Sequence, residues 1–137
     1  MSKKAGSELE AQLAKTPLFS RTTPKQRKAL AKAGKVLPWA DGKVGVKEGS
    51  KAAAFFLILD GSVDVTRGRT AVNRLRSGDF FGETALLSGG VRNATITAAE
   101  NCTMFALGRP AFKALVESDP PLALAILQAM ADRSAAH

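Results

Sequence analysis

The chain of 137 residues has ordinary proportions for a folded domain, 45% hydrophobic and 23% charged, and a formal net charge of +8. No apolar run reaches the roughly 18 residues of a membrane span, and Met1–Thr16 lacks the apolar centre of a secretion signal, so neither a membrane partner nor export is expected. The single cysteine, Cys102, has no internal disulfide partner, which fits a reducing cytoplasm and a small hydrophobe inside a strand.

The charge is unevenly spread. Residues 1–51 hold 12 Lys and Arg against 4 Asp and Glu, whereas residues 52–137 hold 8 of each. Ten of the twelve N-terminal cations are lysines set among Ala and Gly without interleaved aromatics, the composition of a solvated helical face. Sequence-specific nucleic-acid binding is therefore not expected.

In chain order, Met1–Ser7 is small and polar and is expected to fray. Leu9 and Leu13 at a spacing of four predict a short helix from Glu8 that ends before Pro17, with Leu18 and Phe19 as an apolar plug. Thr22 or Thr23 can cap a second helix with Pro24 near its first position, and Ala29, Leu30 and Ala33 give it a buried stripe up to Gly34. Beyond Lys35 short alternating segments replace helical spacing. Val36–Trp39 and Val44–Val46 flank the turn Asp41-Gly42, and Ala53–Leu59 reads as a fully buried strand. Asp60-Gly61 leads into Ser62–Thr66, the Arg67-Gly68-Arg69 hairpin into Ala71–Leu75, and Gly78-Asp79 into a loop. Ala94–Ala98 and Cys102–Leu107 return to strand spacing. After Pro110, Phe112, Leu115 and Val116 share a helical face. Asp119-Pro120-Pro121 then interrupts, and Leu122–Ala136 carries Leu122, Ile126, Leu127 and Met130 at helical spacing. Short strands recurring with turn signals indicate an antiparallel sandwich or barrel, in an order that fits an eight-stranded jelly roll.

The stretch Gly78–Ala99, GDFFGETALLSGGVRNATITAA, carries the chemistry. Gly82 permits positive φ and close backbone approach. The first turn of a helix beyond it leaves N–H groups for an anion, and Arg92 supplies a planar fork matching two phosphate oxygens. Glu83 would repel a phosphate but is a good acceptor for a sugar hydroxyl. Together these suit a sugar phosphate.

Phe81-Gly82-Glu83-Thr84-Ala85-Leu86-Leu87 followed by Arg92-Asn93-Ala94-Thr95 resembles the phosphate-binding cassette of cyclic nucleotide-binding domains, the cAMP-binding rolls of bacterial catabolite-activator-type regulators, cyclic-nucleotide-gated channels and protein kinase A regulatory subunits. The resemblance implies one domain over residues 1–137: a helical lead-in at 1–34, a β-roll at 35–108 with the cassette at 78–99, and a C-terminal helical lid at 109–137. It implies a mainly β fold, an antiparallel jelly roll with flanking helices and a short cassette helix. Glu83 would accept the ribose 2′-hydroxyl. Arg92 and the N–H groups of Ala85 and Asn93 would hold the cyclic phosphate, with Gly82 and Thr84 lining the same turn. No cofactor beyond the ligand, cAMP or cGMP, is implied. Family members with Thr after the cassette arginine often take guanine, and those with Ala or Ser often take adenine. Asn93 fits neither pattern, and cAMP is the expectation. Where the family usually has Asp after Gly49, this chain has Ser50.

The expected output is a moved C-terminal helix read by a protein partner of unknown identity. The chain ends at His137, so the long dimerising helix and helix-turn-helix of the transcription-factor branch are not expected to follow, and the lid is expected to be short. An enzyme on a similar barrel would need clustered His and carboxylates, yet the one histidine is His137; no metal site and no Ser/His/Asp or Cys/His set can be assembled. The competing reading is a degenerate roll that keeps the fold and serves as an interaction scaffold without ligand.

Overall fold

A computed structural model describes residues 3–87 and 89–135. Met1, Ser2, Ser88, Ala136 and His137 lie outside it, and with them part of the expected fraying segment and the last residue expected in the final helix. The rest of that N-terminal segment is helical: α1 runs Lys3–Lys15. The chain forms two compact units, residues 35–109 in one, the N-terminal 34 residues and those from Pro110 onward in the other.

The first unit is the roll. Its strands are β1 (Lys35–Trp39), β2 (Val44–Val46), β3 (Ala54–Asp60), β4 (Ser62–Arg67), β5 (Thr70–Arg76), β6 (Phe80–Phe81), β7 (Thr95–Ala98) and β8 (Cys102–Gly108). They form two four-stranded antiparallel sheets, ordered β1-β8-β3-β6 and β2-β7-β4-β5. Seven strands match the sequence reading to within one or two residues. The eighth, β6, is too short to show a period of two, and it exists because Phe80 and Phe81 pair with Leu57 and Phe56 of β3. The expectation of a fully buried strand over Ala53–Leu59 holds only in part: Phe55, Leu57 and Ile58 are at 1% exposure or less, but Ala54, Phe56 and Leu59 are half-buried and Ala53 is exposed.

Between the sheets, Trp39, Val46, Ile58, Val63, Phe81, Ile96, Ala98, Cys102 and Met104 form a buried cluster, with Phe56, Val65 and Leu75 packed at its edge. Trp39 lies 5.2 Å from the ring of Phe56 and 6.1 Å from that of Phe81, and the two phenyl rings stack at 5.2 Å. Cys102 is buried as a core residue. Burial pushes its thiol up from the ordinary value, and the Sγ lies 3.1 Å from the carbonyl of Ser62.

The second unit holds α1, a 3₁₀ turn at Pro17–Phe19, α2 (Pro24–Ala33), α4 beyond its first residue (Arg109–Ser118) and α5 (Pro120–Ala135). Thr23, not Thr22, caps α2. Its hydroxyl accepts from the Gln26 N–H at 3.1 Å while the Gln26 carboxamide accepts from the Thr23 N–H at 2.9 Å, a reciprocal capping box. The buried face of α2 is Gln26, Leu30 and Ala31, and Ala29 and Ala33 are only half-buried. Gln26 in turn donates to Asp119 at 3.2 Å, and Arg21 makes a two-pronged contact with Asp132 at 2.7 and 3.1 Å.

The stripe on α5 corrects the sequence reading. Leu122, Ala125, Ile126 and Ala129 are buried, but Leu127 is 51% exposed and Met130 half-buried. Alanines share the inner face, and a step of 100° from Ile126 turns Leu127 away from it.

Gly45 is a packing requirement of the roll. A Cβ built there would overlap three atoms of the Trp39 ring, and that ring is buried in the core. Gly45→Ala is expected to lower unfolding stability by about 1–3 kcal/mol through overpacking. Chemical denaturation, with tryptophan fluorescence reporting on Trp39, checks it.

Candidate functional site

The cassette turns on Gly82, which follows β6 with φ of +80°. A one-turn helix, α3 (Thr84–Leu87), comes next. The Ala85 N–H donates to the Gly82 carbonyl at 3.0 Å, the Leu86 N–H to Glu83 at 3.1 Å and the Gly89 N–H to Thr84 at 3.0 Å. The loop is thus closed by its own backbone, and the Ala85 N–H expected to face an anion is engaged within the turn.

Arg92 reaches back onto this turn. Its Nη2 donates to the Ala54 carbonyl at 2.5 Å. A Cβ on residue 82 would lie 2.5 Å from Arg92 Nη1 and 2.8 Å from the Ala54 oxygen. Gly82 is required twice over, by its left-handed backbone and by the guanidinium packed against its α-carbon. The main chain at Arg92 is also held: its N–H donates to Ser50 at 2.7 Å, its carbonyl accepts from Gly49 at 2.8 Å, and Ala52 donates to Gly90 at 2.7 Å. Ser50 completes this turn without the family's usual Asp, its hydroxyl donating to the Lys47 carbonyl at 2.5 Å.

Arg92 is partly buried, and desolvation pulls its guanidinium below the ordinary value. Among the described residues both ion pairs lie elsewhere, Arg21 with Asp132 and Arg74 with Asp64, so no carboxylate offsets the charge of Arg92. A half-buried cation held by one carbonyl can take an external anion as counter-charge.

That charge opens on a cavity of about 440 Å³ within the roll. Gly82, Glu83, Thr84, Arg92 and Asn93 all line it, and Ala85 is fully buried behind the turn. The structure therefore brings five of the six expected residues to one cavity. Sequence reasoning missed its other wall, Val65, Arg67, Val72, Asn73 and Leu75 of the β4–β5 hairpin together with Val91. Exposure is the one available signal: Val72 and Val91 are large apolar residues left 45% and 71% exposed. The lining thus combines the Arg92 cation and the Glu83 carboxylate with apolar surface from Val65, Val72, Leu75 and Val91 and with the polar side chains of Arg67 and Asn73. An anion linked to a flat, mostly apolar group fits such a site.

The fold is an antiparallel roll whose cassette insertion presents an arginine and a carboxylate to one cavity. Residues 37–119 match the family model described as the cyclic nucleotide-binding domain, and the chain belongs to that family. It is 34% identical over 106 residues to a cAMP-dependent protein kinase regulatory subunit of Colletotrichum orbiculare, covering 76% of this chain and 27% of that protein. The chain spans about a quarter of the length of the curated relatives it matches. Among solved structures it is similar to the N-terminal domain of a transcriptional regulator from Streptomyces coelicolor A3(2), with a TM-score of 0.83, 25% identity, and coverage of 89% of this chain and 91% of that one. It is also similar to cAMP-bound PfPKA-R (141-441), with a TM-score of 0.75, 27% identity, and coverage of 96% and 48%.

Gly82→Ala is expected to destabilise the chain by about 2 kcal/mol, since the left-handed backbone alone costs an alanine about 1–2 kcal/mol and the new methyl displaces Arg92. A lower melting temperature in calorimetry checks it. An unchanged melt would mean that Arg92 does not pack on this turn.

Proposed function

We propose that the chain is a cyclic nucleotide sensor in which Arg92 binds the cyclic phosphate and Glu83 the ribose 2′-hydroxyl, with cAMP as ligand. The observation that carries this reading is the half-buried Arg92 guanidinium, packed on Gly82, in no ion pair among the described residues and lining the same cavity as Glu83. The phosphate would supply the missing counter-charge as a charge-assisted, two-oxygen contact. Asn93 and Thr84 would flank it. The Ala85 N–H would share its bond to Gly82 with the ligand, a bifurcation that a 3₁₀-like turn permits. The purine would lie in the trough of Val65, Val72, Leu75 and Val91. Two of the proteins named above, the cAMP-dependent protein kinase regulatory subunit and the cAMP-bound PfPKA-R, favour adenine.

The signal would leave through the C-terminal helices. Arg109, the first residue of α4, donates its N–H to Ala53 at 3.1 Å, one residue from the carbonyl that holds Arg92. Its side chain lies against the cassette loop, where a Cβ on Gly89 would be 2.8 Å from Arg109 Nη1. A phosphate that draws Arg92 from Ala54 therefore acts on the segment that anchors α4. Ligand binding would shift the population of C-terminal helix positions by its differential affinity for the two states, and a protein partner would read the change.

A guanine reading has one observation in its favour. The Asn73 Oδ1 accepts from the Arg74 N–H at 2.8 Å, leaving the carboxamide to offer N–H donors, and Arg67 on the same wall can only donate. Two donors suit the O6 and N7 acceptors of guanine. Isothermal titration with cAMP and cGMP separates the readings.

Micromolar or tighter binding to wild type, abolished in Arg92→Glu with the fold retained by circular dichroism, is the expected outcome. Binding that survives in that variant would remove Arg92 from the phosphate site, and no heat with either nucleotide would favour the scaffold reading. At 100 times its dissociation constant the nucleotide should also stabilise the wild-type chain by about 2.7 kcal/mol, visible as a thermal shift.

A further inference from the structure

A second cavity, of about 340 Å³, lies on another side of Arg92 within the roll. Val46 and Phe56 contribute apolar wall to it, while Lys47, Ser50, Lys51 and Arg92 supply its polar groups, and no carboxylate lines it. The Ser50 hydroxyl proton is committed to the Lys47 carbonyl. The charged donors that line it are therefore three cations, carried on main chain that is tied together where residues 49–52 bond to 90–92 and where the Ser50 N–H donates to the Lys47 carbonyl. Lys47 and Lys51 form no ion pair among the described residues. Neither lines the cavity assigned above to the nucleotide, which the second cavity meets at Arg92 and Val46.

We propose that this cavity is a second ligand site, for a small organic anion whose apolar body lies on Val46 and Phe56 and whose phosphate or carboxylate sits among Lys47, Lys51 and Arg92. An anion there neutralises charge that no ion pair offsets among the described residues, and the apolar wall selects against bare inorganic ions. Because one guanidinium serves both cavities, an anion in either lowers the attraction felt by the other. Occupancy of the second site thus opposes cyclic nucleotide binding, and by linkage the nucleotide opposes the second anion to the same degree. The opposition rests on the nucleotide reading; the existence of the site does not.

The test uses phenyl phosphate as probe, with benzyl alcohol as its neutral counterpart, titrated into the full ¹⁵N-labelled chain without nucleotide. Saturable amide shifts at Gly45, Lys47, Lys51 and Ala53 are expected with phenyl phosphate and not with benzyl alcohol, and they are lost in K47E/K51E. The K47Q/K51Q variant, which removes charge at two exposed positions without reversing it, should weaken the same shifts and guards against a folding defect. Shifts confined to Gly82, Glu83 and Asn93, an equal response to benzyl alcohol, or affinity unchanged in K47Q/K51Q would overturn the proposal. In a second arm, saturating phenyl phosphate should raise the cAMP dissociation constant of wild type by about fivefold or more, and not that of K47E/K51E. An equal rise in both would place the probe in the nucleotide cavity and overturn the coupling. A chain that binds phenyl phosphate at the second cavity but no nucleotide would sink the sensor reading and leave the second site standing.

Discussion

The contact on which the site depends is that of the Arg92 guanidinium with the Ala54 carbonyl, made directly over Gly82. A guanidinium cannot shed its proton to escape partial burial, so it must be hydrogen-bonded where it lies. The roll provides for this at three levels. Gly82 vacates the space a side chain would fill, β3 begins with an inward carbonyl, and residues 49–52 pair with 90–92 to fix the arginine's main chain. One neutral carbonyl satisfies geometry without cancelling charge. The cation stays available to an anion from outside the chain, which a carboxylate partner in the same place would have prevented.

Much of the fold is written locally, and the sequence discloses that part. Alternating valines in Ser62–Arg67, the FFLIL run and the Gly-containing turns mark strands and their ends because the pleat has a period of two and tight turns need special residues. The capping box at Thr23 and Gln26 and the break at Pro120 are likewise local. What stays hidden is set by partners distant in sequence. β6 is a strand only because β3 lies beside it. Leu127 looks buried only because it stands in an apolar run; its step of 100° from Ile126 takes it off the inner face, which Ala125 and Ala129, residues too small to announce themselves, complete.

The candidate site divides the same way. Gly82, Glu83, Thr84, Arg92 and Asn93 are close in sequence at a spacing that a compact loop imposes, so their shared cavity was legible. The carbonyl of Ala54 was not, because a backbone acceptor leaves no trace in residue identity. Nor was the apolar wall, whose members come from a hairpin and from Val91 and read as ordinary strand or loop residues. The engaged N–H of Ala85 shows a further limit: a sequence gives the number of free amides in a turn but not which of them the turn itself takes up.

The two carbonyls at the head of β3, Ala53 toward the Arg109 amide and Ala54 toward the Arg92 side chain, are main-chain groups that every residue type possesses. A link made of such groups does not depend on which side chains stand at positions 53 and 54. The side chains at positions 53 and 54 can therefore change without removing the acceptors that hold the Arg92 guanidinium and the Arg109 amide.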